Sequence, residues 1–238
     1  MMRDVRDIVR EVLIITKRYL KYKDLQKLTG LAPPILWRYI SNNMRPSPDR
    51  AEKIFSSLVE SGVLRSIVSR HVRLIGSEIV NIFDLVYNKD IIRLAAYEAY
   101  YYFRKSDVDA IATVEIDGIP LAVALSILFD ADIIVAKRRK ELGHEDFYEE
   151  TYISRDPPFL TSIYVPKDLI RRGVNILVVD DLLRSGRTLA SLLNIIREAR
   201  ANPVGVFSIV AVGSEWIEVV RKLSINKVHI MVHIPSYS

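Results

Sequence analysis

Cysteine is absent from all 238 residues, which excludes disulfides, thiolate metal sites and a cysteine nucleophile. Histidine is scarce: His71, His144, His229 and His233 are the only four. None stands at metal-ligand spacing with partners, so no protein-bound metal is expected. No apolar run approaches the roughly 18–20 residues that a membrane span requires. The opening Met1-Met2-Arg3-Asp4 lacks the apolar segment of a secretory leader. These absences predict a soluble, cytoplasmic protein with no membrane partner. Repeats and low-complexity tracts are missing too.

Half of the residues are hydrophobic, enough for a full core and a smaller appended domain. The net charge of +5 hides an asymmetry. Residues 1–75 hold 15 Lys and Arg against 7 Asp and Glu, whereas 76–238 hold 19 against 22. A basic first third beside a mildly acidic body suits a polyanion partner for the former, or simply a solvated basic face.

Apolar residues at Val5, Ile8, Val9, Val12, Leu13 and Ile15 have helical spacing and predict a helix over Asp4–Leu20. Short helices fit Lys23–Leu28, stopped at Gly30, and Pro34–Ile40. Ser47-Pro48-Asp49 reads as N-cap, first-turn proline and dipole-facing acid of a helix to about Glu60, closed by Gly62. Val63–Ile75 reads as a strand-like connection. The expected organisation is a helical domain over 1–65, a connection over 66–76 and a larger domain over 77–238.

In the larger part, helices fit Asp84–Tyr87, Ile91–Arg104, Leu121–Phe129, Thr188–Ala199 and Trp216–Leu223. Apolar strands fit Ala110–Val114, Asp132–Ala136, Phe159–Val165, Val174–Val179, Val204–Val212 and Lys227–Val232. Continuously apolar strands alternating with helices predict an α/β domain with a doubly wound parallel sheet covered on both faces. Tyr97, Tyr100, Tyr101 and Tyr102 read as a helix covering that sheet or as a subunit interface. Residues 137–158 are polar, long and without clear period, which predicts either disorder or a functional lid.

The strand ending at Val179 runs into Asp180-Asp181, then Leu182-Leu183 and Arg184-Ser185-Gly186-Arg187-Thr188 before a helix. In open α/β sheets ligands sit beyond the carboxyl ends of strands. Adjacent carboxylates there can accept hydrogen bonds from vicinal hydroxyls. The following loop offers backbone N–H groups, hydroxyls and a glycine at a helix N-terminus, an anion cradle. Sugar-hydroxyl acceptors beside a phosphate nest describe a ribose 5-phosphate site.

Residues 176–188 match the signature of the type I phosphoribosyltransferases, which this chain resembles over roughly 110–233. The resemblance implies that Asp180 and Asp181 bind the ribose hydroxyls of phosphoribosyl pyrophosphate (PRPP), and that Arg184, Ser185, Gly186, Arg187 and Thr188 form the loop around its 5-phosphate. It implies a pyrophosphate loop at Glu115, Ile116, Asp117 and Gly118. It also implies a flexible loop opened by the basic run Lys137, Arg138, Arg139 and Lys140, and Mg²⁺ carried in with PRPP. Two departures stand out. Asp117 occupies a place where a small or neutral residue is usual, and a carboxylate beside a pyrophosphate repels it unless Mg²⁺ lies between. Arg184 stands where 6-oxopurine enzymes commonly have an acid, and a cation cannot accept the base's ring proton.

Lys23–Arg45 resembles the helix-turn-helix of lambda/Cro-class repressors. Leu25 and Leu28 face inward, Gly30 turns, and Leu36-Trp37-Arg38-Tyr39-Ile40 ends the recognition helix. The resemblance implies that Trp37 and Arg38 face the major groove of double-stranded DNA, with Asn42, Asn43 and Arg45 near phosphates. Ala32-Pro33-Pro34 at the start of that helix removes base-reading side chains, so direct readout should be poor. Two functions fit. A homodimeric transcriptional regulator sensing PRPP or a purine nucleotide is favoured by Asp117, Arg184 and the basic helix-turn-helix. The alternative is a purine phosphoribosyltransferase (adenine-type or 6-oxopurine) with an added helical domain. The sequence names neither base nor operator.

Overall fold

The computed structural model describes residues 4–75, 79–154 and 158–235. The leader reading at Met1-Met2-Arg3, the 76–77 boundary and residues 155–157 of the polar stretch lie outside the described residues. The amino-terminal third folds as helices α1 (Val5–Tyr19), α2 (Tyr22–Thr29), α3 (Pro33–Ile40), α4 (Pro48–Glu60) and α5 (Val63–Ser69). Asp4 caps α1 by accepting from the Arg6 amide at 2.9 Å, and Ser47 caps α4. Gly30 ends α2 at φ 69°, a left-handed turn that glycine adopts without a Cβ penalty.

The strand-like reading of Val63–Ile75 is corrected. Leu64, Ile67 and Val68 are all buried along one face of helix α5, and only Arg73–Ile75 is strand (β1), paired antiparallel with β2 (Ile79–Asn81). Short apolar β-branched runs are ambiguous by periodicity; packing under α4 and the helix Lys89–Phe103 decided this one.

Helices α6 (Phe83–Val86) and α7 (Lys89–Phe103) lead into β3 (Ala110–Val114), α8 (Ile119–Phe129) and β4 (Asp132–Ala136). An antiparallel hairpin follows, β5 (Phe147–Ile153) with β6 (Leu160–Pro166). The chain then forms β7 (Asn175–Leu183), α9 (Arg187–Glu198), β8 (Asn202–Val212), α10 (Glu215–Lys222) and β9 (Val228–Ile234). Part of the polar stretch read as lid or disorder, Phe147–Ile153, is thus strand. Glu149 and Glu150 interrupt the apolar alternation of β5, which hid it.

The main sheet is parallel, in the order β4-β3-β7-β8-β9. Period-two alternation sends Leu177 and Val179 of β7 into one apolar layer with α7, α8 and the amino-terminal helices. Ile176 and Val178 enter the other layer with α9 and the hairpin. The first layer is continuous from Ile8 to Met231, so the helical region and the α/β body share a core. The strand order reverses between β3 and β7, where the carboxyl ends open a crevice. Among the described residues no helix is long and apolar enough to cross a membrane.

Candidate functional site

Strand β7 runs past Val179 to Leu183, so Asp180 and Asp181 are strand residues on opposite faces. Asp180, half-buried, lines a cleft of about 340 Å³. Asp181 is 8% exposed and its amide donates to Asp180 Oδ1 at 3.1 Å. Burial, followed by the Asp181 charge, pushes the Asp180 carboxyl well above the usual carboxylate range. Burial likewise raises Asp181, and the Asp117 charge adds to both.

Arg184, Ser185, Gly186, Arg187 and Thr188 line the same cleft, at the N-terminus of α9. Gly186 has φ 72°, and a Cβ there would lie 3.1 Å from Trp216 Cα. The tight approach of α10 and the left-handed backbone both require glycine. The hairpin forms the opposite wall. Arg187 Nη1 donates to the Ile153 carbonyl at 2.5 Å, and Thr188 Oγ1 donates to Tyr152 Oη at 3.1 Å. The Thr161 hydroxyl, buried in this wall, has no hydrogen-bond partner among the described residues.

The turn after β3 carries Glu115, Ile116, Asp117 and Gly118, with a cis Glu115–Ile116 peptide. Glu115 Oε1 accepts from the Arg138 amide at 2.7 Å and so holds the start of the basic run. Tyr87 Oη donates to Asp117 Oδ1 at 2.9 Å. Gly118 is buried, and a Cβ on it would meet Thr113 Oγ1 at 2.1 Å.

The basic run does not act as one unit. Arg138 lines the 340 Å³ cleft. Lys137 pairs with Glu141, and Lys140 pairs with Glu149 at 2.9 Å. Lys137 and Arg139 border a separate cavity of about 190 Å³, beside Phe147 and Tyr164. Sequence reasoning missed Tyr87, Tyr152 and Thr161. No motif marks them; the pairing of Tyr152 with Thr161 across the hairpin brings two of them to the cleft.

In the amino-terminal region Trp37 is 52% exposed. Arg38, Asn42, Asn43 and Arg45 are also exposed, and Arg45 pairs with Asp7. Leu25 and Leu36 are fully buried, and Leu28 is half-buried against the same core. For a cation, Asp117, Asp180 and Asp181 supply hard oxygen donors of the kind Mg²⁺ takes. Among the described residues no group of three His, Cys, Asp or Glu could hold a metal ion by itself. The donor set fits Mg²⁺ in company with ligand oxygens.

The phosphoribosyl transferase domain family matches residues 82–235, and the chain belongs to that family. Xanthine phosphoribosyltransferase of Clostridioides difficile is 37% identical over 113 residues, 47% of this chain and 60% of that protein. The purine biosynthesis transcriptional repressor PurR of Bacillus subtilis is 24% identical over 104 residues, 44% of this chain and 36% of the repressor. The chain thus matches less than two thirds of the length of these relatives. The crystal structure of adenine phosphoribosyltransferase from Thermoanaerobacter pseudethanolicus superposes with TM-score 0.63 at 14% identity. It covers 71% of this chain and 99% of that one, a likeness of fold.

Proposed function

We propose that the chain binds PRPP in the crevice between β3 and β7 and transfers its phosphoribosyl group to a purine base. The observation that carries this reading is the convergence of Asp180 and the whole 184–188 loop on one cleft at the N-terminus of α9. The backbone amides of Ser185, Gly186 and Arg187 and the helix dipole hold the 5-phosphate. Asp180 and Asp181 accept from ribose hydroxyls, and the Glu115–Gly118 turn with Arg138 takes the pyrophosphate. Bound with PRPP, Mg²⁺ would supply charge neutralisation there, held by Asp117 or Asp181 together with ligand oxygens. Transfer breaks the bond from C1 to pyrophosphate and forms one from C1 to a base nitrogen. Asp180, on the cleft, faces the ribose whose C1 becomes electron-poor. Arg184 is no proton acceptor, so the base's proton leaves to another acceptor. The similarity to xanthine and other purine phosphoribosyltransferases supports the purine class. The test is release of pyrophosphate from PRPP with xanthine, guanine, hypoxanthine and adenine in turn. No release with any of them overturns transfer.

A second reading rests on a separate observation, the exposed Trp37, Arg38, Asn42, Asn43 and Arg45 on a basic helical region. In that reading residues 1–65 are a helix-turn-helix domain, two copies of the chain bind duplex DNA, and PRPP or a purine nucleotide in the same cleft sets occupancy. The likeness to a purine repressor supports it. PRPP binding without turnover, joined to ligand-dependent DNA binding, would decide for it.

A further inference from the structure

On the hairpin wall of the cleft, a hydroxyl pair joins the phosphate loop to a residue outside it. Tyr152 Oη and Thr188 Oγ1 stand 3.1 Å apart, one on β5 and the other in the first turn of α9. Tyr152 is held in place through its neighbour, because Arg187 Nη1 donates to the Ile153 carbonyl at 2.5 Å. Directly across the hairpin, Thr161 keeps a buried hydroxyl with no partner among the described residues. This wall therefore has hydrogen-bonding capacity beyond what the protein's own contacts use. Among the described residues, the cleft lining carries Arg138, Arg184 and Arg187 against one acid, Asp180, a balance that suits an anion.

A threonine hydroxyl has one proton and two lone pairs. As the protein stands, Thr188 gives its proton to Tyr152. A phosphate dianion only accepts, so it competes with Tyr152 for that proton. Thr188 can turn to the phosphate and still keep its partner only if the partner can become the donor. A phenol can do so: the Tyr152 proton turns onto the Thr188 oxygen, and the hydrogen bond reverses in place. A hydroxyl that receives one hydrogen bond donates a stronger one, so the reversed bond strengthens the hold of Thr188 on the phosphate.

We propose that Tyr152 is a positioning residue for the 5-phosphate, acting through Thr188, whose proton it directs onto a phosphate oxygen by itself becoming the donor. The proposal rests on the seating of the 5-phosphate in the 184–188 loop, and it places part of that recognition on the β5–β6 hairpin.

The experiment is calorimetric titration of the whole chain with ribose 5-phosphate. Tyr152→Phe keeps the ring and its packing and removes one oxygen; it should weaken binding about tenfold. Melting without ligand, compared with the wild type, certifies its fold. In a Thr188→Val background the same change should cost less than about twofold, because the relay is already broken. In a Thr188→Ser background, which keeps the hydroxyl, the cost should return to about tenfold. A purely packing role for Tyr152 would cost the same in all three backgrounds. Unchanged affinity in Tyr152→Phe, or a full loss retained in the Thr188→Val background, overturns the inference and leaves the proposed site standing. A wild type that does not bind ribose 5-phosphate overturns the proposed site itself and this inference with it.

Discussion

Arg18 on α1 pairs with Asp90 on α7, whose side chain is only 11% exposed. The same helix binds the amino-terminal region along its length. Arg93 and Tyr97 both reach Glu11, Arg104 meets Glu52 at 2.6 Å, and Glu98 accepts from Arg65 at 3.3 Å. Together with the continuous apolar core, these ties mount the helices on the α/β body. Arg18→Ala leaves the Asp90 carboxylate without its partner in a mostly dry place. Because Arg18 itself is half-exposed and water can partly replace it, the expected loss is about 1–2 kcal/mol. Urea unfolding checks this, and it should show one transition for the whole chain; a separate early transition of the helices would contradict the shared core.

Gly118→Ala should be among the most damaging single-methyl changes in the protein. The added Cβ would lie 2.1 Å from Thr113 Oγ1, and overpacking of this kind costs about 1–3 kcal/mol. Gly186→Ala combines a left-handed backbone with contact on the backbone of Trp216, and should separate α10 from α9 as well as reshape the cleft. Thermal melts of both variants give the stability loss. Calorimetry with ribose 5-phosphate should show a further loss of affinity for Gly186→Ala.

The acidic pair makes stability depend on pH in a definite direction. Both carboxyls are raised above their ordinary value of 3.8, chiefly by burial. A folded state that holds protons more tightly than the unfolded chain loses stability as pH rises. The loss begins near 3.8 and is complete above the raised values. Asp180→Asn removes part of it. The variant should therefore melt higher than the wild type without ligand at neutral pH, with the gain vanishing toward pH 3.8. A gain that stays constant across the range would refute the assignment.

Asp180→Asn with Asp181→Asn should weaken PRPP by about 1–3 kcal/mol for each charged hydrogen bond lost. Because these two acids face opposite sides of β7, the single variants should differ. Asp180, which lines the cleft, is expected to carry the larger share. Titration calorimetry of the two singles and the double separates them, and unchanged affinity in the double variant would remove the ribose assignment.

If the helical region binds DNA, phosphates carry much of the affinity, since Pro33 and Pro34 open α3 and leave few base-reading side chains at its start. Affinity should then fall steeply with salt on any duplex. Arg38→Ala should reduce the salt slope by about one phosphate contact. Arg45→Ala should do less in proportion as its pairing with Asp7 persists. Fluorescence anisotropy at several salt concentrations, with and without PRPP, measures both. Ligand that changes DNA affinity must itself bind more or less tightly in the presence of DNA, by linkage.

The sequence by itself determined the parallel sheet, because buried strands must be apolar on both faces. It also marked residues 180–188, because two acids at a strand end followed by a glycine and hydroxyls at a helix N-terminus form a local pattern. The Ser47 cap and the Gly30 turn were legible for the same reason: each is a local requirement met within a few residues. What lay beyond it was set by contacts between distant segments. The β5–β6 hairpin forms because it can pair across its own length and seat Tyr152 against Thr188, although Glu149 and Glu150 mask its pattern. The basic run looked uniform, yet Glu115, Glu141 and Glu149 draw its members to different partners, leaving Arg138 on the cleft. Only the tertiary structure brings Tyr87 to Asp117, thirty residues away. Hydrogen-bond geometry across the crevice has no periodic trace in a chain, because it arises from where two elements end in space and not from what either one buries.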